Sequence, residues 1–293
     1  MKIGFIGLGI MGYAMASKLI ENGYDLIVYD VNPRALDKTV QKGATQADSP
    51  DDVGSRTAVS FLSLPTPQTV MDVVNGSNGV LNGANSGHII VDLSTTDPHT
   101  IQSLAINSHS KDVILLDAPI SGGVIGAEKG TLAIMVGGDE TAFHAVRPIL
   151  SCLGKNIFYA GDSGKGASAK LVNNYLAAAN MSVIAEGLVL GRKLGLDVNT
   201  LFEILSAGSG NSFQLQYRFK NHIASRNFEP GFSIDLMIKD LGLAIAAGEK
   251  AEVPMILGHV VKQLYEIASM KGLGGQDTSG IVNIMEEYGH VQI

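Results

Sequence analysis

Lys170 is the residue of this sequence best suited to move a proton. It stands at the start of Ala169–Leu194, a run rich in Ala, Leu and Met. An ammonium there can protonate a developing alkoxide and stabilise its charge; as a free amine it can take the proton of an alcohol being oxidised. Burial in such a stretch lowers a lysine's pKa toward working pH. The competing reading is a solvated helix lysine whose stem covers apolar surface. Asn174 follows four residues on, on the same helix face. Its amide can hold a substrate hydroxyl or carboxylate, or orient the lysine. Asn173 points about 100° away and reads as structural.

Two glycine-rich turns could hold anions. Gly7-Leu8-Gly9-Ile10-Met11-Gly12 fits G-x-G-x-x-G, follows a strand pattern and opens a helix pattern. In that context Gly7 permits the tight turn, Gly9 admits a pyrophosphate to the backbone, and Gly12 lets helix and strand approach. The helix N-terminus supplies free N–H groups and partial positive charge. Asp30 closes the second strand pattern, where a carboxylate accepts ribose hydroxyls and repels a 2′-phosphate. Val31 follows it, and Arg34 is the nearest cation. The expected cofactor is therefore NAD in preference to NADP. Ser121-Gly122-Gly123 follows another strand pattern, and its amides and hydroxyl suit a carboxylate; a plain strand-ending turn is the alternative.

These residues need elements to position them. Short apolar runs at Lys2–Ile6, Leu26–Tyr29, Ala58–Leu64, His88–Leu93, Val113–Leu116, Leu132–Val136 and Ile157–Tyr159 read as strands. Helical patterns fall between several of them: Met11, Met15 and Leu19 on one face, then Pro33–Gln41, Pro67–Val74, Pro98–Ser108 and Glu140–Leu150. Pro in a first turn is a start signal. The alternation predicts an α/β, doubly wound, mostly parallel sheet with helices on both faces. After about Gly161 strand signals fade. Ala169–Leu194 reads as one long helix, apolar on most sides and so expected to be buried. Asn199–Ser206, Ser212–Ala224, Ser233–Glu249, Pro254–Met270 and Ser279–Tyr288 complete an all-α second half. Phe213, Tyr217 and Phe232 read as core packing there, with lining of the substrate pocket as the alternative.

Composition narrows the classes. Of 293 residues, 45% are apolar and 17% charged, ample for a core and against disorder. The formal net charge is −7 and no Lys/Arg run occurs, which argues against nucleic-acid binding. A few local cations and amides still suffice for a small anionic substrate. The single cysteine, Cys152, excludes a disulfide within the chain and reads as an inert thiol. No signal peptide and no apolar stretch of membrane-spanning length is expected, hence a cytoplasmic protein. The histidines sit singly, and no metal is expected.

Four motifs in order resemble the β-hydroxyacid dehydrogenase family, whose members include 3-hydroxyisobutyrate dehydrogenase and tartronate semialdehyde reductase. They are Gly7–Gly12; Asp117-Ala118-Pro119-Ile120-Ser121-Gly122-Gly123; Gly164-Lys165-Gly166-Ala167-Ser168-Ala169-Lys170-Leu171-Val172-Asn173-Asn174; and Lys239-Asp240. Ile120 departs from the usual Val by one methylene. The resemblance implies an N-terminal Rossmann domain over residues 1–162 and an all-helical domain over 163–293, with an interdomain helix at 163–194. It implies substrate between the domains, over the nicotinamide. It makes Lys170 the general acid/base and gives the substrate carboxylate to Ser121, Gly122 and Gly123. Asn174 joins the substrate side, and Lys239 reaches both substrate and cofactor; a surface pair of Lys239 with Asp240 is the alternative. Leu64, Pro65 and Thr95, after strand patterns, go to the cofactor side with Gly7, Leu8, Gly9, Ile10, Met11, Gly12 and Asp30. The expected reaction interconverts a small 3-hydroxy acid and its semialdehyde. Alternatives are a sulfonated or larger dicarboxylic aldehyde, or a non-catalytic cofactor-binding module. An imine reductase would usually lack the lysine, and a decarboxylating sugar-acid dehydrogenase would need a larger C-terminal domain. A homodimer or homotetramer is expected.

Overall fold

The computed structural model describes residues 2–293. The chain divides into two compact units, Met1–Lys170 and Leu171–Ile293.

The first unit is built on nine strands: β1 (Lys2–Ile6), β2 (Asp25–Tyr29), β3 (Thr45–Gln46), β4 (Val59–Leu62), β5 (Ile89–Asp92), β6 (Ile114–Asp117), β7 (Ile120–Ser121), β8 (Leu132–Gly137) and β9 (Gly154–Gly161). They line up as β3-β2-β1-β4-β5-β6-β8-β7, with β9 beside β8. From β3 to β6 every pairing is parallel. The chain begins at β1, moves outward to β3, then returns to β4 on the other side. This reversal puts a crevice at the carboxyl ends of β1 and β4, where doubly wound sheets bind ligands. Beyond β6 the direction breaks: β8 is antiparallel to β6 and β7, while β9 runs parallel to β8 with two register shifts.

Sequence explains why these strands lie in the middle. Ile3, Phe5 and Ile6 of β1 and Val59, Phe61 and Leu62 of β4 are all buried, as both faces of a covered parallel sheet require. Among the described residues, eight helices lie wholly within this unit: α1 (Ile10–Glu21), α2 (Pro33–Val40), α3 (Pro50–Arg56), α4 (Pro67–Asn75), α5 (Val80–Gly83), α6 (Pro98–His109), α7 (Gly123–Lys129) and α8 (Glu140–Leu153). Four begin alike. Asn32, Ser49, Thr66 and Asp97 each cap a backbone N–H with a side-chain oxygen, and proline follows in the first turn. The sequence reading missed α3, although Ser49-Pro50-Asp51-Asp52 carries that same start signal.

Helix α9 (Lys165–Lys193) crosses the division between the units. It starts four residues earlier than its apolar pattern predicts. Glycines at 164 and 166 obscure the start, because glycine is a poor helix former. The second unit continues with α10 (Val198–Ala207), α11 (Phe213–Arg218), α12 (Ile234–Lys250), α13 (Ile256–Ala268) and α14 (Val282–Gly289). Its core gathers Met181, Leu188, Leu215, Phe219, Leu241 and Tyr265. The segments read as single helices at 212–224 and 254–270 each end in a wider, π-type turn, Phe219–Ile223 and Ser269–Leu273. The expectation of a fully buried α9 is corrected: Val172, Leu176, Val183, Leu190 and Leu194 are 52–73% exposed along one stripe. The opposite face is the buried one, with Ala178, Met181, Ala185 and Leu188 in the core of the second unit. Among the described residues, no helix is long and apolar enough to cross a membrane.

Candidate active site

The first glycine turn is fixed by contacts on three sides. Gly7 adopts φ +92°, and its N–H donates to the Tyr29 carbonyl at 3.0 Å. A Cβ on Gly12 would collide with the Gly7 carbonyl oxygen, so helix and strand can cross only at glycine. Gly9 differs: a Cβ there meets nothing within 4 Å. Space is open where a pyrophosphate has to approach. Helix α1 starts there with no side-chain cap and no acidic residue in its first turn. Orphan amides, the positive end of the helix and an open glycine together fit a dinucleotide. Leu8 is buried as an anchor, Ile10 is 66% exposed, and Met11 is half-buried.

Asp30 does more than the sequence suggests. Its Oδ2 accepts the Leu8 N–H at 2.5 Å and its Oδ1 the Asn32 N–H at 2.7 Å. The carboxylate thus ties the glycine turn to the end of β2, with lone pairs left on each oxygen for a ribose. Val31 beside it is 86% exposed.

The loops after β4 and β5 are joined. The Leu64 N–H donates to the Ser94 hydroxyl at 2.9 Å. Asp92, fully buried, accepts the Ser94 N–H at 3.0 Å and the Thr96 hydroxyl at 3.2 Å. Burial pushes the Asp92 carboxyl up to about 6, against the lowering effect of those hydrogen bonds. Pro65 is exposed and Thr95 half-buried at the ends of these loops. Asp92 was not singled out by sequence; the available signal was a charged residue ending an otherwise apolar strand.

The second glycine turn and the lysine come together within this unit. Lys170 is 8% exposed, and its Nζ donates to the Ile120 carbonyl at 2.6 Å. Ile120 immediately precedes Ser121, Gly122 and Gly123, so the ammonium is held at the base of that turn. Gly122 and Gly123 adopt φ +130° and +63° and open α7, a helix for which the sequence shows no pattern. Ser121 is half-buried, and both glycines are exposed. Lys170 is therefore not a solvated surface lysine.

In the second unit, one turn further along α9, Asn174 is 5% exposed. Its Nδ2 donates to Asp240 Oδ2 at 2.6 Å, and its Oδ1 accepts from Asn173 Nδ2 at 3.1 Å. Lys239 Nζ lies 3.1 Å from Asp240 Oδ1. Asp240 is 1% exposed, so the Lys239–Asp240 pair is not a surface pair. The carboxylate orients both Asn174 and Lys239, a role the sequence reading left unassigned. Phe213 corrects another expectation: it is 72% exposed and stacks on Tyr217 with ring centroids 5.8 Å apart, whereas Phe232 packs on the core. A cavity of about 330 Å³ at the amino ends of β1, β4 and β5 is lined by Lys2, Arg56 and His88. His88 there is a satisfied core histidine, bonded to the Thr57 carbonyl and the Ser60 hydroxyl.

Comparison with known proteins decides the family. Residues 2–161 match the family described as the NAD-binding domain of 6-phosphogluconate dehydrogenase. Residues 164–285 match that of the NADP-dependent 3-hydroxyisobutyrate dehydrogenase NAD-binding domain. The chain belongs to the β-hydroxyacid dehydrogenase family. It is 39% identical over 292 residues to 2-(hydroxymethyl)glutarate dehydrogenase of Eubacterium barkeri, covering 100% of this chain and 97% of the relative. It is 38% identical to mitochondrial 3-hydroxyisobutyrate dehydrogenase of Rattus norvegicus, covering 97% and 87%. Among solved structures, Mycobacterium tuberculosis 3-hydroxyisobutyrate dehydrogenase with L-serine superposes with a TM-score of 0.90 at 32% identity, covering 97% of this chain and 98% of that one. As a β-hydroxyacid dehydrogenase, the protein is an NAD(P)-dependent oxidoreductase with a Rossmann-type first unit and a helical second unit.

Proposed function

We propose that this protein interconverts a small 3-hydroxy carboxylic acid and its semialdehyde with NAD(H), using Lys170 as general acid and base. The observation that carries the reading is a buried lysine whose ammonium sits against the carbonyl preceding Ser121-Gly122-Gly123. When bound, the nicotinamide supplies or accepts the hydride. In oxidation, neutral Lys170 takes the hydroxyl proton while one of its N–H groups stays on the Ile120 carbonyl. In reduction, its ammonium returns a proton to the developing alkoxide. The Ser121 hydroxyl and the exposed Gly122 and Gly123 amides receive the substrate carboxylate. Asn174, set by Asp240, offers its second amide N–H to the substrate. Lys239, held by the same carboxylate, adds positive charge on the substrate and cofactor side.

Residues 1–162 form the cofactor domain in this reading and 163–293 the substrate and oligomerisation domain. Gly7–Gly12, Asp30, Leu64, Pro65 and Thr95 hold the dinucleotide. Asp30 without an arginine at position 31 favours NAD over NADP. The exposed stripe from Val172 to Leu194 supports a homodimer or homotetramer, which sedimentation equilibrium tests. A cytoplasmic location completes the assignment. A larger dicarboxylic substrate is a second reading, favoured by the 39% identity to the hydroxymethylglutarate enzyme.

The test is NADH oxidation, with NADPH in parallel, against methylmalonate, tartronate and succinate semialdehydes, glyoxylate and a sulfonated aldehyde. NAD reduction by 3-hydroxyisobutyrate and 2-(hydroxymethyl)glutarate runs beside it. Turnover on one member that is lost in Lys170→Met, with NADH binding retained, supports the assignment. Unchanged turnover in that variant sinks the role of Lys170.

A further inference from the structure

Helix α9 carries Lys170 but has no capping side chain of its own. Helices α2, α3, α4, α6, α8, α10, α11 and α12 are each capped by an Asn, Ser, Thr or Asp immediately before their first residue. At the start of α9 that place belongs to Gly164, which takes φ +87°. The cap arrives from far away in sequence. Asp117, at the carboxyl end of β6 and 1% exposed, accepts the Gly164 N–H on Oδ1 at 2.9 Å and the Ala167 N–H on Oδ2 at 2.7 Å. A carboxylate at this position satisfies two orphan amides and faces the positive end of a long helix.

Room for this contact is made by glycine on both sides. A Cβ on Gly137 would lie 2.7 Å from Asp117 Oδ1, and one on Gly166 would lie 2.9 Å from Oδ2. The same few residues then touch the helix a second time. Three positions after Asp117, the Ile120 carbonyl receives the Lys170 ammonium. Lys170 stands three residues past Ala167, about 4.5 Å along the helix axis. The segment Asp117–Ile120 therefore grips α9 at its first turn and at the lysine, and leads directly into Ser121-Gly122-Gly123.

From this geometry we infer that Asp117 is a positioning residue for the reaction: it sets the height of Lys170 relative to the Ser121–Gly123 turn by pinning the amino end of α9 to the end of β6. The inference rests on the reading of Lys170 as the acid–base group. Burial holds the Asp117 carboxyl above its ordinary range, against the lowering pull of the amides it accepts. Asn of the same shape keeps one acceptor but turns an N–H₂ group toward a backbone donor, so Asp117→Asn releases one of the two ties.

The experiment compares parent, Asp117→Asn, Asp117→Ser and Lys170→Met with methylmalonate semialdehyde and NADH, or with whichever semialdehyde of the panel is turned over fastest. It reads kcat, KM, the isotope effect with NADH deuterated at the transferred position, NADH affinity by fluorescence, and thermal stability. The expected result for Asp117→Asn is a folded protein with NADH affinity within about twofold of the parent, kcat lowered about 30-fold, and an isotope effect that grows as hydride transfer becomes limiting. Asp117→Ser, whose shorter side chain can cap at most one amide, lowers kcat at least as far as Asn. Parent-like kcat and isotope effect in Asp117→Asn, with Lys170→Met inactive, overturns the positioning role alone. Retained turnover in Lys170→Met removes the acid–base reading instead. Failure of both Asp117 variants to fold while Lys170→Met folds normally makes Asp117 a folding residue and also overturns the inference.

Discussion

The two glycine turns of the first unit differ in what chiefly requires their glycines. Gly7–Gly12 is limited chiefly by space: Gly7 also has positive φ, but a side chain on Gly7 would strike the Ser63 carbonyl and one on Gly12 the Gly7 carbonyl, and the Leu8 amide is pinned by Asp30. Gly122-Gly123 is limited by dihedral angle. Both residues have positive φ; a Cβ on Gly122 would come 3.2 Å from Leu132 Cδ2, and one on Gly123 would meet nothing within 4 Å. One turn is a close-packed junction that also leaves a gap at Gly9. The other is an open bend that presents amides. The same residue type thus serves packing in one place and backbone direction in the other, and substitution can tell them apart.

Gly12→Ala has the largest expected effect. Its methyl group meets backbone that cannot move without separating α1 from β1, so stability falls by about 3 kcal/mol. NADH affinity drops at least tenfold with it, measured by thermal denaturation and fluorescence titration. Gly122→Ala comes next. At φ +130° an alanine costs about 1–3 kcal/mol of strain. The turn then relaxes, and KM for the acid substrate rises while NADH affinity holds. A parallel loss of NADH binding in this variant would break the comparison. Gly9→Ala should leave stability within about 0.5 kcal/mol and weaken NADH about tenfold, because the only thing its methyl group displaces is the ligand. Gly123→Asn is the smallest: at φ +63° asparagine is tolerated, so stability and KM change by less than about twofold in equilibrium terms. A large loss there would mean that contact limits Gly123 as well as Gly122.

Much of this contrast was legible before the structure. The G-x-G-x-x-G spacing, its strand and its acid located the first turn, and the alternation of apolar runs gave the sheet. What escaped were interactions without local pattern. Asp117 lies 47 residues before the amide it caps, and Asp240 lies 66 residues after the amide it orients. Both are buried charges whose partners are set by tertiary packing, so no periodicity marks them. The early start of α9 was hidden for the same reason: its cap is not next to it. Phe213 and the α9 stripe were misjudged because apolarity states a preference for burial and does not supply the surface that satisfies it.

The far edge of the sheet has a consequence for the protein in concentrated solution. Strand β9 is eight residues long, pairs among the described residues with β8 alone, and exposes Phe158 and Tyr159. A straight edge of that length would offer other chains a row of free amides and carbonyls to pair with. The two register shifts against β8 interrupt that row, and the exposed Lys155 adds charge at its start. Irregular pairing of this kind makes the edge a poorer template for strand addition than a straight one of the same length would be.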